Sequence, residues 1–509
     1  MWGVTHYELE HTENDAKLQQ SRMMDSHWLI LSFRDSIICC MYGSFVGRAR
    51  ELGDLNWLLE QVRNPTSDRP AKAVALRGRR RVGKSRLVTE FVHRAKLPSF
   101  YFVAEGGRPA IERQNFMSAI AASTLPQASS WVPTQSPETW SATLSQLTPF
   151  IPNNSPSIIV IDEVSYLTSN DDGFEGALQS IWDRTWSKLP LLLVLIGSNR
   201  SEMERLTSHG RPFYGRAVDK EIKPLNPADV KQMTGLDAAN AIDAYLVTGG
   251  LPTLVTSWPK GQNVAEYLVE NLKSSLSPLV ITGERVLSSE YPVEVQAKDV
   301  LRAIGSDART FTAIGNHSKI NQPGTLVRCL EQLVERGIVA IDEPLSTAAS
   351  RHKMYRVDDP FMRFWLAFLF DAAQFIDAGR GEIINKRLKT GWNAWRGKAV
   401  EPVIRNLLLE KSLDGLIPMS AEIGSWWNRT GTVEVDLVGA DRKTPAHQIS
   451  FIGSIKWRES QDFNQHDLLA LIKARASVPG ANDDTPLFAV SRNGGKHEGI
   501  TILTPAQLF

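Results

Sequence analysis

Two groups of residues in this 509-residue chain have the types and spacing to do chemistry together. The first is Gly78-Arg-Arg-Arg-Val-Gly-Lys84-Ser85, which follows the apolar run 73–76 and precedes the helix-like run 87–92. Strand, glycine-bounded loop and Lys-Ser at a helix start are what a triphosphate-binding loop requires. Glycine lets backbone N–H groups turn inward onto phosphate oxygens. Lys84 is placed for the β- and γ-phosphates and Ser85 for Mg²⁺. The helix N-terminus adds partial positive charge. The contact set is Gly78, Arg79, Arg80, Arg81, Val82, Gly83, Lys84, Ser85 and Arg86.

The second group is Asp162-Glu163, closing the β-branched run 157–161, which reads as a buried parallel strand. Asp162 is placed for the Mg²⁺ shell and Glu163 to polarise an attacking water. The plain alternative is a strand ending in a solvated acidic turn. A further apolar run, 191–196, ends in Gly197-Ser198-Asn199. Ser198 fits a γ-phosphate sensor or water-orienting group, or a strand-end turn. Arg216, after Phe213-Tyr-Gly215, fits a finger on the transferring phosphate, or an ion-paired surface arginine.

The elements that must position these groups can be read in outline. A strand is predicted over 98–104, and residues 123–140, rich in Ser, Thr and Pro, form a surface excursion. Residues 227–275 read as helical, broken at Thr248-Gly-Gly-Leu-Pro252. Residues 298–304, 311–314 and 325–334 read as three helices, with apolar spacing in the last at Leu326, Cys329, Leu330 and Leu333. Runs 338–341 and 353–357 then read as two strands. That is a winged helix, whose Arg328, Arg351, His352 and Lys353 suit DNA phosphates. The block is not strongly basic, so packing against the nucleotide domain or a protein partner stays open.

Composition narrows the class. Hydrophobic residues make 42% of the chain and charged residues 22%, ordinary values for a globular protein. The net charge of +1 gives no bulk electrostatic argument for nucleic acid. No apolar run has transmembrane length. The three cysteines, Cys39, Cys40 and Cys329, have no metal-ligand spacing, and a reducing, cytoplasmic setting is the simplest expectation. Residues 1–41 differ in character from the rest of the chain, and Met41 is a candidate start.

Taken in order, Phe45-Val-Gly47-Arg48-Ala-Arg-Glu51, the phosphate loop, Ile161-Asp-Glu163, Gly197-Ser198, Tyr214-Gly-Arg216, Gly249-Gly-Leu-Pro252 and Phe364-Trp365 resemble archaeal and bacterial AAA+-like ATPases of the STAND-related branch, which carry a winged helix and a DUF234 domain. The resemblance spans about 42–509 and implies ATP and Mg²⁺ as ligands, nucleotide-dependent switching and DNA association. It predicts an α/β architecture: a P-loop NTPase core with the additional-strand parallel sheet (42–225), a helical lid (226–290), a winged helix (291–375) and an α/β nuclease-like domain (376–509).

The last region looks like the PD-(D/E)xK nuclease fold. A helix opening at Gly397-Lys-Ala-Val-Glu401, a strand 432–438, a strand 449–452, a turn and a further strand 455–457 are expected. The resemblance assigns Glu401, Asp436 and Lys456 to a metal-dependent phosphodiesterase site. Ser454 stands where that pattern has a carboxylate, and Glu434 is not an obvious substitute. Cleavage, a degenerate nucleic-acid-binding or structural copy, and an unrelated α/β domain all remain open, as do a protein partner and self-association.

Overall fold

The core sheet follows from two runs that have no polar face. Ser157–Asp162 (β3) and Leu191–Gly197 (β4) are buried along their whole length. A strand buried on both sides needs helices on both faces of its sheet, which favours parallel pairing. The computed structural model describes residues 45–132, 137–290, 295–305, 307–320 and 322–509. In it Lys72–Arg77 (β1), Ser99–Val103 (β2), β3, β4 and Val218–Glu221 (β5) form a sheet ordered β2-β3-β4-β1-β5, with every pairing parallel. β4 lies between the loop-bearing β1 and the acidic β3, as the additional-strand arrangement requires. The ends of β1 and β4 align, Arg77 opposite Gly197, so the loops after β1, β3 and β4 share one edge. β5, half-exposed and only four residues long, has no sequence signal comparable to the others.

Helices Pro227–Thr234, Ala238–Thr248, Pro252–Thr256, Val264–Asn271 and Pro278–Glu290 follow. The next block is Val295–Ile304, Phe311–Ser318 and Pro323–Glu335, then Val339–Asp342 (β6) paired antiparallel with Met354–Val357 (β7), three helices followed by a hairpin. Pro360–Phe364 continues as a π-helical turn, Trp365–Leu369.

Helix Glu382–Lys411, strands Glu422–Trp427 (β8), Glu434–Ala440 (β9) and Ile449–Lys456 (β10), helix Gln465–Arg475, then Leu487–Ser491 (β11) and Thr501–Leu503 (β12) complete the chain. β8, β9 and β10 pair antiparallel, and β10, β11 and β12 pair parallel. Two expectations need correcting here. Gly397 does not open a helix but lies inside one of 30 residues. Gly453 and Ser454 do not form a turn: β10 runs unbroken through them, because Gly453 pairs with Leu437 on one side and Phe488 on the other.

The parallel sheet has its own apolar core, around Phe100, Phe116, Ile159, Trp186 and Leu193. A second continuous core runs from Leu225 through Trp365 and Ile404 to Leu508. At its polar heart, Asp243 accepts from Arg396 Nη1 at 2.9 Å and from Trp457 Nε1 at 2.8 Å, with Arg492 Nη1 at 3.1 Å. Residues 48–509 form one compact unit. Residues 1–41, with Cys39 and Cys40, and part of 123–140 (133–136) lie outside the described residues.

Candidate functional site

The chain leaves β1 through Gly78, whose backbone lies against Ile222: a Cβ there would sit 2.3 Å from the Ile222 carbonyl oxygen. Ile222 N donates to Arg77 O at 2.7 Å and fixes the exit. Within the loop Arg81 has a left-handed φ of 66°, unfavourable for a side chain of that size. Lys84 opens the helix Lys84–Ala95 and is buried, its ammonium donating to Gly78 O at 2.7 Å and Arg79 O at 3.0 Å. The amine therefore sits within the curl of the loop. Arg48 braces the other side, donating to Val82 O at 2.7 Å. Arg86 lies in the first turn of the same helix.

Ser85 faces Asp162, near enough for its hydroxyl to favour the charged carboxylate. Tyr101 Oη donates to Asp162 at 2.9 Å and Glu163 N at 2.8 Å. Burial pushes the Asp162 carboxyl up, and these three donors pull the other way. Burial, with Asp162 beside it, pushes the Tyr101 phenol up, so it stays a donor. Glu163 adopts a left-handed φ of 53° at the start of helix Val164–Asn170. Its Oε2 accepts from Ser198 Oγ at 2.7 Å and Ser198 N at 3.3 Å. Arg80 reaches the same corner, with Nη2 on Tyr166 Oη at 3.2 Å and Nε at 3.5 Å from Ser198 Oγ.

Gly78 to Ser85, Asp162, Glu163 and Ser198 thus converge on one sheet edge. Arg216 is tied elsewhere, in a two-pronged pair with Asp183 at 2.9 and 2.7 Å. A loop arginine makes an unforeseen long-range contact: Arg79 Nη1 lies 2.5 Å from Asp359 Oδ2. Arg48 was legible within its motif but not its purpose. Tyr101 was hidden in a strand, and Asp359 had no signal because it is remote in sequence.

The C-terminal sheet carries a second polar cluster. Carboxylate oxygens of Glu401, Glu434 and Asp436 lie within 4.8 Å of one another. Glu434, two residues from Asp436 along β9 and so on the same side of the strand, joins this group. Ser454, in β10, donates to Asp436 at 3.0 Å, and Ile455 N donates at 2.8 Å. Lys398 lies 3.1 Å from Glu434 and 3.2 Å from Glu401, and Arg405 lies 2.8 Å from Glu401. Burial and the Asp436 carboxylate push Glu401 up to about 7, against the pull of Arg405 and Lys398. Lys456 ends β10 on the same face as Ser454.

Residues 365–468 match DUF234, described as archaeal and bacterial proteins of unknown function. Curated proteins give no match. Among solved structures the chain is similar to the Walker-type ATPase PABY2304 of Pyrococcus abyssi, with 21% identity, 63% of this chain and 96% of that one covered, and a TM-score of 0.45. Cdc6p of Pyrobaculum aerophilum gives 16% identity, 70% and 98% coverage and a TM-score of 0.33. Orc1 of Aeropyrum pernix in complex with DNA gives 14%, 65% and 93%, and 0.31. No described helix is long and apolar enough to cross a membrane.

Proposed function

We propose that the edge of the parallel sheet binds ATP with Mg²⁺ and hydrolyses it, and that the remainder of the chain responds to that event. The observation that carries this reading is the convergence of Ser85, Asp162, Glu163 and Ser198 beside the loop that encloses Lys84. The donor set fits Mg²⁺: the Ser85 hydroxyl and the Asp162 carboxylate face each other, both hard oxygen ligands. The ion supplies charge neutralisation at phosphate oxygens. Lys84 exchanges its bonds to loop carbonyls for phosphate oxygens. Glu163, held by the Ser198 hydroxyl and amide, accepts hydrogen from the attacking water. Arg80 lies close enough to that corner to place charge on the same phosphate. The Arg216–Asp183 pair favours a structural role for Arg216 over a finger. The test is phosphate release by wild type and Lys84→Ala, with and without DNA. Equal rates in the two proteins would overturn the reading.

For the C-terminal cluster the fit to a catalytic metal is poor. Ser454 stands where the pattern has a carboxylate, and Lys398 and Arg405 already pair with two of the three that are present, Glu401 and Glu434. These features support a degenerate copy. The winged helix is assigned to DNA, tested by a salt-dependent shift lost on altering residues 325–353. A second reading, a protein partner, is favoured by its charges. Lys353 pairs with Glu343 at 3.0 Å, Arg356 pairs with Asp342 and Asp358, and Arg328 turns back to Gly324 O, while Val327 and Ile341 are exposed. Absence of DNA binding at low salt would select that reading.

A further inference from the structure

The phosphate loop is held from outside the parallel-sheet region. Asp359 stands between β7 and helix Pro360–Phe364, 280 residues from Arg79, and its Oδ2 lies 2.5 Å from Arg79 Nη1. Its other oxygen, Oδ1, accepts from Phe361 N at 2.8 Å and Met362 N at 3.3 Å, capping that helix. The carboxylate is 7% exposed, so water competes weakly for it.

The surroundings fix it there. Gly249 packs so closely that a Cβ on it would lie 2.8 Å from Phe361 Cβ and 2.9 Å from Asp359 Oδ1. Beyond the cap, Trp365 Nε1 donates to Val280 O at 3.2 Å, and Arg363 Nη1 reaches Ala399 O at 3.4 Å in the long helix that also carries Glu401. Arg79 thus touches the first residue of a largely buried segment that leads from the β6–β7 hairpin into the DUF234-matching region.

We infer that Asp359 is an internal anion occupying Arg79 in competition with a nucleotide's phosphates, so that filling the loop loosens the junction at residues 359–370. The inference rests on the nucleotide-binding reading above. An arginine in a phosphate loop has the geometry to bind carboxylate and phosphate through the same N–H fork. A carboxylate held on it lowers phosphate affinity by charge repulsion and by occupying the donor. By linkage, phosphate then weakens the hold on Asp359 by the same factor.

The experiment measures ADP and ATP binding by calorimetry to wild type, Lys84→Ala, Asp359→Asn and Asp359→Ser, and to Asp359→Asn in an Arg79→Ala background. Asn and Ser keep the helix cap and remove the charge, so folding is retained, and thermal unfolding confirms it. Both variants are expected to bind nucleotide about tenfold tighter than wild type, and the gain is expected to vanish when Arg79 is Ala. Wild-type affinity in both Asp359 variants, with binding still lost in Lys84→Ala, overturns the competition and leaves the nucleotide site standing. A tenfold gain that persists without Arg79 also overturns it. No binding by wild type overturns both readings. Hydrogen exchange across residues 359–370 of the wild type is expected to rise on adding nucleotide, and unchanged exchange there overturns the loosening.

Discussion

The two acidic corners of the molecule use different partners, and the difference decides what each can bind. At the phosphate-loop corner, Asp162 and Glu163 are answered by neutral donors: Ser85, Tyr101, Ser198 and backbone amides. A hydroxyl holds a carboxylate in place and leaves its charge uncancelled. At the β9 corner Asp436 also has neutral donors, Ser454 and the Ile455 amide, but Glu401 and Glu434 are answered by Lys398 and Arg405. Those two cations weaken the field that would draw a divalent metal. Geometry alone would rank the second corner higher, since three carboxylates converge there. The charge of the partners reverses that order.

The largest test of the contrast is Glu163→Gln. It keeps the Ser198 contact and removes the proton acceptor. Turnover is expected to fall about a thousandfold, with nucleotide affinity nearly unchanged, in parallel phosphate-release and calorimetric measurements. A fall in affinity without a fall in turnover would make Glu163 a structural cap.

The second test concerns pH. Glu401 rises from 4.5 to about 7 in the folded chain, so the folded state binds its proton more tightly than the unfolded chain does. Its stabilising contribution is complete below the lower value and lost as pH rises through the upper one, about 3 kcal/mol in all. Glu401→Gln is expected to flatten that slope in urea unfolding followed between about pH 4 and 8. An unchanged slope would mean Lys398 and Arg405 fully compensate the carboxylate.

Tyr101→Phe removes a neutral donor from Asp162 and leaves a buried carboxylate with one partner fewer. About 1.5 kcal/mol of stability is expected to be lost, read by the same unfolding measurement. Lys398→Ala is the smallest. Lys398 is 50% exposed, so its pairs are screened, and Mn²⁺ binding by the cluster is expected to strengthen only about fivefold. Tight Mn²⁺ binding by the wild type would break the contrast altogether.

Much of the phosphate-loop corner was legible because its signals are local. Lys84 and Ser85 follow a glycine-bounded loop, Asp162 and Glu163 end an unbroken apolar strand, and each meaning depends on a few neighbours. The buried strands β3 and β4 were visible for the same reason. β5 was not: a half-exposed strand of sequence Val-Asp-Lys-Glu has neither alternation nor apolar run. The β9 corner was half legible. Glu401 and Asp436 were found through pattern, but the pattern is silent on Lys398 and Arg405, which lie one helical turn either side of Glu401 and point at it. Gly453 misled as a turn residue, because in β10 glycine serves close strand pairing instead. Asp359 depends on tertiary approach alone.

The Asp243 junction has a consequence for recombination of this chain with others. The Ala238–Thr248 helix supplies the buried carboxylate, Asp243, on which Arg396 and Arg492 converge, while the exposed Glu459 pairs with both from the other side. Transplanting residues 376–509 alone would leave Arg396 and Arg492 with only the exposed Glu459 in place of the buried Asp243, a loss of several kcal/mol. The C-terminal sheet is therefore not a portable cassette. Any inherited fusion or engineered chimera that keeps it folded must carry the 238–248 helix with it.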